Sequence, residues 1–275
     1  MTIPRANILG IGVSAINMEI ALDVIEGWIS RRESNYVCVT SVHGVMESRR
    51  DEELRRIHER AGLVTPDGMP LVWLSRLMGF SHVERVYGPD LMVAMCKRSA
   101  KQGYRHFFYG GAPGVAEKLT VRLKARFPTL NLAGSYSPSF HTLTTDEDRA
   151  VVELIKAARP DIVWVGISTP KQERWMAEHV GRLSTAVLIG VGAAFDLHSG
   201  IKRQAPLWMQ RNGLEWLFRL TTEPRRLWRR YLINNPFFLW LVLLQAVGRK
   251  ASQTDGEIKA ARGVGRRISI RRRMR

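Results

Sequence analysis

The sequence predicts an α/β fold, a mostly parallel Rossmann-like sheet with helices on both faces, followed by a basic C-terminal helical appendage. The sheet is predicted because short apolar runs bounded by Gly or Pro alternate with amphipathic segments of helical period. The appendage is predicted from charge, since residues 201–275 hold 18 of the 42 Lys and Arg but 4 of the 25 Asp and Glu. Residues 1–200 hold 24 basic and 21 acidic residues, so their net charge is only +3.

The first half of the core is predicted as three strands joined by helices. The apolar run Ala6–Val13 reads as the first strand, and the periodicity of Asn17–Ser30 indicates a helix before the next strand, Tyr36–Thr40. Asp51–Ala61 reads as a charged helix and Leu63–Thr65 as a short buried strand. Apolar strands separated in this way by amphipathic helices indicate parallel pairing with both faces of the sheet covered.

The second half continues the alternation. Leu91–Gln102 reads as a helix, and the aromatic run Arg105–Tyr109 reads as a strand that ends at two glycines. The remaining core elements are predicted as helix Gly114–Phe127, strand Leu130–Tyr136, helix Thr145–Ala158, strand Ile162–Gly166, helix Gln172–His179 and strand Ala186–Val191.

The core is predicted to close near residue 200, which divides the chain into three regions. Residues 1–200 form the α/β core, residues 201–247 the basic helical appendage, and residues 248–275 a polybasic tail with ten Lys and Arg that we expect to be disordered. Pro224 and Pro236 separate the helices predicted in the appendage. These helices are Leu214–Leu220, Arg225–Ile233 and Phe237–Val247.

An apolar, aromatic segment with basic flanks points to a membrane surface. Phe237–Val247 has 11 residues, whereas a helix needs roughly 20 to span a bilayer. Arginines on both sides of such a segment suit anionic lipid, so we expect this chain to lie on a membrane rather than to cross it. The N-terminal segment lacks a cationic leader and a suitably spaced cleavage site, so we interpret it as a strand and not as a signal peptide.

The same residues bear on other classes of function. A pI near 10.7 also suits a basic nucleic-acid-binding protein with an α/β scaffold, which is the alternative, although the charge is confined to the C-terminal part and no zinc finger or helix-turn-helix is evident. A dehydrogenase is disfavoured because the Gly-x-Gly-x-x-Gly fingerprint is missing. Cys38 and Cys96 lack metal-ligand spacing and are expected to be reduced core residues. We predict neither a metal nor a cofactor.

Ligands of open α/β sheets bind beyond the carboxyl ends of the strands, and polar or glycine-rich loops follow four of the predicted strands. In the loop 65–70, Asp67 is either a turn residue or an exposed general base. In the loop 109–114, Gly110 and Gly111 either form a tight turn or let the backbone approach a phosphate at a helix N-terminus.

The other two loops carry similar ambiguities. In the loop 166–173, Ser168 or Thr169 suits a helix N-cap, with Pro170 at the first helical position. In the loop 190–196, Gly192 permits close packing, and Asp196 has a carboxylate able to accept hydrogen bonds from ribose hydroxyls.

Taken together, six segments resemble the WecG/TagA/CpsF family of bacterial glycosyltransferases over roughly residues 5–245. The resemblance implies an inverting, metal-independent transfer from a UDP-sugar to a polyprenyl-diphosphate-linked sugar, in the synthesis of a cell-surface polysaccharide such as an exopolysaccharide. It also implies a cytoplasmic protein, peripheral on the inner face of the membrane. The segments are TPDGMP, RVYGPDL, FFYGGAPGVAEKL, GISTPKQERWM, GVGAAFDLHSGIKRQAP and GLEWLFRLTTEPRRLWRRYL.

Residue by residue, the resemblance places the family's catalytic base on Asp67, its loop arginine on Arg85 and its active-site glutamine on Gln172. Thr40 matches the threonine that ends the second strand. The family often has Thr-Pro-Asn there, whereas this chain has Thr40-Ser41-Val42-His43. His43 therefore either replaces the asparagine in sugar recognition or is structural.

Three arginines of the appendage are candidates for the diphosphate of the departing UDP. Arg219, Arg226 and Arg229 are seven and three residues apart, a spacing that places them on one face of a continuous helix. Pro224 interrupts that helix, so their convergence requires tertiary packing, and a lipid-facing basic stripe is the alternative. In the family, the appendage is thought to close over the active site.

An apolar patch follows the Asp67 loop and has two interpretations. It is either the subunit interface of a homo-oligomer or part of the groove that receives the acceptor. Its residues are Trp73, Leu74, Leu77 and Met78.

Overall fold

The computed structural model of the chain describes residues 3–138, 143–183 and 187–248, and within them the predicted fold class is confirmed. A six-stranded sheet is formed by β3 (Tyr36–Thr40), β4 (Leu63–Pro66), β5 (Arg105–Gly110), β6 (Asn131–Tyr136), β7 (Ile162–Gly166) and β8 (Val187–Gly190). The strand order is β4-β3-β8-β7-β5-β6, and all five pairings are parallel. The carboxyl ends of the strands therefore share one edge, where the four loops emerge.

The helices cover both faces of this sheet. Local capping explains several starts, since Asn17 accepts a hydrogen bond from the Ile20 amide and Asp51 accepts one from the Leu54 amide. The core helices are α1 (Met18–Arg31), α2 (Val42–Arg50), α3 (Glu52–Arg60), α4 (Met69–Leu77), α5 (Gly88–Gln102), α6 (Val115–Arg126), α7 (Thr145–Ala158), α8 (Lys171–His179) and α9 (Ala194–His198). Of these, α2, α4 and α9 were not predicted.

The prediction of one N-terminal strand is wrong. The run 5–14 folds into an antiparallel hairpin of β1 (Arg5–Ile8) and β2 (Ile11–Ser14), which lies outside the main sheet. Leu9 and Gly10 make the turn with φ of 53° and 90°. Two positive φ values are typical of the tight turns that join hairpin strands. Leu9 concealed this turn because it continues the apolar pattern.

Successive side chains of the strands belong alternately to two hydrophobic clusters, one on each face of the sheet. Val37 and Ile162 belong to one cluster, whereas their neighbours Cys38 and Val163 belong to the other. Cys38 and Cys96 are both buried and free. The sheet is thus apolar on both sides, which leaves its carboxyl edge as the place for polar chemistry.

The appendage forms α10 (Leu207–Arg211), α11 (Glu215–Thr222) and a long last helix, α12 (Pro224–Gly248). The prediction of two helices separated at Pro236 is wrong, because α12 continues through it. A π-helical turn, Arg229–Ile233, directly precedes Pro236. Such a turn re-forms the backbone hydrogen bonds around a proline, which has no N–H of its own.

The correction to α12 changes its length. Among the described residues, this 25-residue helix contains an 18-residue window with a mean hydropathy of 1.4 and is long and apolar enough to cross a membrane, judged by length and composition alone. The predicted 11-residue segment was too short because it began only after Pro236. Residues 249–275, nearly all of the predicted tail, lie outside the described part of the chain.

One side of α12 packs on the N-terminal hairpin. Phe238 and Leu241 join a cluster with Ile8 and Ile11. The side chain of Gln245 accepts a hydrogen bond from the Leu9 amide at 3.1 Å and donates one to the Asn7 carbonyl at 3.0 Å. These contacts hold α12 against the N-terminal hairpin.

Candidate functional site

A cavity of about 390 Å³ lies between the carboxyl ends of β3 and β4 and the appendage. We call it the appendage cavity. Its walls combine polar and charged side chains from the core with two arginines and several apolar side chains from the appendage. The core contributes Ser41, His43, Asp67, Met69, Trp73 and Arg85, and the appendage contributes Glu215, Trp216, Arg219, Arg230, Tyr231, Phe238 and Leu239.

Asp67 directly follows β4 and is held by its backbone. Its amide donates to the Thr40 carbonyl at 3.0 Å, and its Oδ1 accepts from the Gly88 amide at 3.2 Å. Burial raises the pKa of the Asp67 carboxyl, the Arg85 guanidinium opposes that rise, and the Glu215 carboxylate adds to it. Asp67 is thus a carboxylate of raised basicity facing a cavity, as a general base requires.

Arg85 lies beside Asp67 but binds its backbone. The Arg85 Nε donates to the Asp67 carbonyl oxygen, and the guanidinium lies 4.0 Å above the Tyr87 ring. A terminal nitrogen of Arg85 donates to Glu215 of α11, which also accepts from the Tyr87 hydroxyl at 2.8 Å. Arg85 therefore joins the Asp67 loop to the appendage.

The structure places two appendage arginines in the cavity, and only Arg219 of them was predicted. The other is Arg230, whose Nε is buried without a hydrogen-bond partner in the described part of the chain. Of the other candidates, Arg226 pairs with Glu223 at 2.6 Å and Arg229 is exposed beside the Trp228 ring. Arg230 lies within the π-helical turn Arg229–Ile233 of a helix that the sequence appeared to interrupt, so no spacing rule could select it.

His43 lines the cavity from the first turn of α2. Burial, together with the positive charges of Arg230, Arg50 and Arg219, lowers the pKa of His43 to about 3. The imidazole is therefore neutral at neutral pH. Its Nδ1 lies 3.8 Å from the Glu47 carboxylate, too far for a hydrogen bond, so it makes no ion pair there.

Thr40 ends β3 but is buried below the cavity. Its hydroxyl lies 3.1 Å from the Nε2 of His58, a buried histidine of α3.

The residues of the apolar patch after Asp67 do not all face the same surroundings. Trp73 lines the cavity and Leu77 is 83% exposed, while Leu74 and Met78 pack against the hairpin cluster.

Gln172 and Glu173 form a buried pair at the start of α8. The Gln172 amide donates to the Glu173 Oε1 at 3.1 Å, and the Thr169 hydroxyl donates to the same oxygen at 2.9 Å. Within the described residues, the Gln172 Oε1 and the Glu173 Oε2 have no hydrogen-bond partner. Burial raises the pKa of Glu173, which the charge of Arg230 opposes. Arg230 therefore lies near this pair as well as near Asp67 and His43.

A second cavity, of about 690 Å³, opens at the carboxyl ends of β5 and β7. We call it the β5–β7 cavity. Gly111, Ser168 and Asp196 line it, together with the aromatic rings of Tyr109 and Trp175, which stack 4.2 Å apart. The volume lies within the usual range of small-molecule sites.

The predicted glycines have different surroundings. Gly110 is required by packing, because a Cβ there would lie 2.6 Å from the Gly166 backbone of the neighbouring strand. Gly111 faces the β5–β7 cavity with φ of 77°. Gly192 lies beside Gln172, whose Oε1 would be 3.4 Å from a Cβ at that position.

A chain of charges connects the β5–β7 cavity to the appendage. The Lys202 ammonium lies 2.8 Å from the Asp196 carboxylate and 3.2 Å from that of Glu223. A smaller cavity of about 240 Å³, also lined by Lys202, shares Glu215 and Arg219 with the appendage cavity. The structure thus groups Asp67, Arg85, His43 and Arg219 around one cavity, and Gly111 and Asp196 around the other. Gln172 is buried nearby.

The chain was compared with proteins of known family and activity. A sequence model of the family described as "Glycosyl transferase WecG/TagA/CpsF family" matches residues 6–252. Among the relatives is the N-acetylglucosaminyldiphosphoundecaprenol N-acetyl-beta-D-mannosaminyltransferase of Bacillus spizizenii, 28% identical over 84% of this chain and 88% of the relative. Proteins of the same name from Bacillus subtilis and Staphylococcus aureus are 30% and 24% identical, over 73% and 86% of this chain and 76% and 92% of their own lengths.

Proposed function

The chain belongs to the WecG/TagA/CpsF family of glycosyl transferases, and from this membership we propose that it transfers an N-acetylhexosaminyl group from a UDP-sugar to a polyprenyl-diphosphate-linked sugar. The names of three relatives support both the transferred group and the acceptor. The product is a lipid-linked disaccharide for a cell-surface polysaccharide.

Asp67 is the general base of this proposal. It takes the proton of the acceptor hydroxyl while that oxygen forms a bond to the anomeric carbon of the donor. The bond from this carbon to the UDP oxygen breaks, and UDP leaves with the bonding electrons. A single displacement of this kind inverts the anomeric configuration. The position of Asp67 on the cavity wall and its raised pKa support this role.

Arg219 and Arg230 are the groups that stabilise the leaving diphosphate. Both line the appendage cavity, and the Arg230 Nε has an unused donor within the described residues. Guanidinium groups bind phosphate oxygens through several parallel hydrogen bonds. They supply positive charge where negative charge develops, so the proposed reaction proceeds without a metal ion.

The nucleoside of the donor occupies the β5–β7 cavity in this proposal. The Asp196 carboxylate accepts hydrogen bonds from ribose hydroxyls, and the backbone at Gly111 faces the diphosphate. Gln172 has a carbonyl oxygen without a partner among the described residues, and Arg230 lines the appendage cavity; in this proposal the two groups direct the sugar to Asp67. The part of His43 in sugar recognition, and the substrate-binding roles of Thr40, Gly110 and Gly192, belong to the same proposal.

We place the protein on the cytoplasmic face of the membrane, with α12 along the surface. One side of α12 is buried, because Phe238 and Leu241 pack on the N-terminal hairpin. The other side exposes large apolar residues, preceded by the exposed Arg225, Arg226 and Arg229. This combination suits the interface of an anionic bilayer. The exposed apolar residues are Trp228, Leu232, Ile233, Phe237, Leu239, Trp240, Leu243, Leu244 and Val247.

The observation that carries the proposal is the convergence of Asp67 from the core with Arg219 and Arg230 from the appendage on one cavity. The test supplies the full chain with UDP-N-acetylmannosamine and a short-chain polyprenyl-diphosphate-N-acetylglucosamine, and measures UDP release and product mass. We expect a disaccharide product from the unaltered protein. Asp67→Asn should reduce the rate by about 10²–10⁴-fold, the usual contribution of a general base.

Asp23→Asn is the matched control, because Asp23 lies on the exposed surface of α1 and pairs only with Arg98 among the described residues. It should retain the activity of the unaltered protein. Full activity of Asp67→Asn would contradict the assigned base. Absence of product with a series of UDP-N-acetylhexosamines would contradict the proposed reaction.

A further inference from the structure

Glu215 is a carboxylate of the appendage that reaches into the core beside Asp67. It is the first residue of α11, and its side chain is only 14% exposed. One of its oxygens accepts from the Arg85 guanidinium and the other accepts from the Tyr87 hydroxyl at 2.8 Å. Arg85 and Tyr87 are themselves stacked. Both oxygens of Glu215 are thus satisfied by residues of one core loop.

The contacts of Glu215 determine how strongly Arg85 affects the basicity of the Asp67 carboxylate. An arginine paired with the Asp67 carboxylate would stabilise its charged form and make it a weak base. Instead, Arg85 binds the Asp67 backbone carbonyl with its Nε and directs a terminal nitrogen to Glu215. In the described residues, the hydrogen bond that the Asp67 carboxylate receives comes from the Gly88 amide.

We propose that Glu215 is a positioning residue, which holds the Arg85 guanidinium away from the Asp67 carboxylate and thereby keeps Asp67 basic enough to accept the proton of the acceptor hydroxyl. The inference rests on the function proposed above. Because Glu215 belongs to α11, Asp67 is basic enough for proton transfer only when the appendage is packed against the core. The appendage therefore contributes to proton transfer as well as to stabilising the leaving group.

The charges around Asp67 give the direction of the effect. Arg85 from the core loop and Arg219 from α11 lower the pKa of Asp67, and Glu215 raises it. Further titratable or charged groups of the surrounding elements are Tyr87 of the same core loop, Arg230 of α12, Asp90 of α5 and the neutral His43 of α2. Removing the charge of Glu215 abolishes its repulsion of the Asp67 carboxylate, and it frees the Arg85 guanidinium to approach that carboxylate. Both changes lower the pKa of Asp67.

The first arm of the test measures kcat/KM and kcat against pH for the full chain and for Glu215→Gln. Activity requires ionised Asp67 and is lost as pH falls through its pKa. The acid limb of Glu215→Gln should therefore move about 1 pH unit lower, and kcat should fall about tenfold because the base is weaker. Tyr87→Phe, which keeps the Glu215 charge and removes one of its hydrogen bonds, should leave the acid limb within about 0.3 pH unit.

The second arm measures the same quantity without any reaction. The carboxyl carbon of Asp67 is followed by ¹³C NMR in protein labelled at aspartate, with Asp67→Asn to assign the signal. We expect its titration midpoint to fall about 1 pH unit in Glu215→Gln, and by a smaller amount in Glu215→Asp, which keeps the charge with a shorter reach. If Glu215→Gln does not fold, Glu215→Asp still tests the inference.

The outcomes separate the inference from the proposed function. An unchanged or raised midpoint in the Glu215 variants overturns the inference, whatever reaction the protein catalyses. A lowered midpoint in a protein that transfers no sugar supports the positioning role and contradicts only the proposed function. A lower kcat with an unmoved acid limb shows a purely structural contribution of Glu215 and also overturns the inference.

Discussion

The Nε2 of His58 on α3 lies 3.1 Å from the Thr40 hydroxyl at the end of β3. Burial lowers the pKa of His58, so the ring is neutral near neutral pH. Its Nδ1 lies 3.0 Å from the Leu54 carbonyl, which only accepts, so Nδ1 carries the proton and Nε2 accepts from Thr40. This bond fixes the hydroxyl directly below the Asp67 loop.

We therefore expect His58 and Thr40 to be energetically coupled. His58→Phe and Thr40→Val should each lower the free energy of unfolding by about 1–3 kcal/mol. Thr40→Val leaves the buried His58 Nε2 without its partner, and His58→Phe removes the ring that contacts the Thr40 and Ser48 hydroxyls, of which Thr40 keeps the Cys38 carbonyl at 3.2 Å. The double variant should lose about 0.5–1.5 kcal/mol less than the sum. Urea denaturation of the four proteins measures this coupling. Strictly additive losses would show that the bond contributes nothing.

His106 is expected to make stability depend on pH. Burial lowers its pKa to about 3, against about 6.5 in an unfolded chain. The unfolded state therefore binds more protons between these values, and stability falls as pH drops below about 6.5, by up to about 1.4 kcal/mol per pH unit.

The variant His106→Phe removes this titration. The unfolding free energy, measured by urea denaturation from pH 7 to pH 5, should fall less steeply in the variant, by about 1 kcal/mol per pH unit. The variant also costs Trp164 its hydrogen bond to His106, which lowers stability at every pH without changing the slope. Equal slopes would contradict a buried neutral His106.

The sheet and the Asp67 loop were predictable because their signals are local. A run such as Ile162–Gly166 is apolar throughout and is bounded by polar residues, so it marks a strand and the loop after it. Asp67 directly follows β4 and Arg85 lies in the loop between α4 and α5, and each belongs to a contiguous motif that carries the family resemblance. By contrast, the hairpin and α12 were misjudged, since Leu9 conceals a turn and Pro236 imitates a helix end.

The other half of the site depends on tertiary packing. Glu215 meets Arg85 across 130 positions of the chain, and no sequence spacing encodes that contact. Arg230 lines the cavity from a π-helical turn of α12, an irregularity that the spacing rules of a regular helix do not describe. The arginine spacing instead selected Arg226 and Arg229, which the fold leaves exposed.

Two adjacent phenylalanines test whether α12 packs on the N-terminal hairpin. Phe238 is 2% exposed within the hairpin cluster, and Phe237 is 46% exposed on the other side of α12. Phe238→Ala should lower the free energy of unfolding by about 3–5 kcal/mol through the lost burial and the cavity it leaves. Phe237→Ala should cost less than about 1 kcal/mol. Equal losses in chemical denaturation would contradict the packing of α12 on the hairpin.

The exposed side of α12 should control binding to lipid. Leu243→Glu places a charge on this side, at a residue that is 68% exposed. We expect it to reduce co-sedimentation with anionic liposomes, because a buried charge opposes insertion at the interface. Val121→Glu is the matched control, since Val121 is 69% exposed and lies on α6 of the core rather than on α12. Equal sedimentation of both variants would contradict the proposed membrane surface.

The most direct test of a site shared between core and appendage is a single-turnover cycle of sugar transfer with Asp67→Asn, Arg230→Gln and the double variant. Asp67→Asn should slow product formation by about 10²–10⁴-fold and Arg230→Gln by about 10²–10³-fold, whereas Arg229→Gln, an exposed neighbour, should stay within about twofold. Residues that act in one transition state have non-additive effects. The account predicts a double variant about as slow as the slower single variant, and a fully multiplied loss would contradict it.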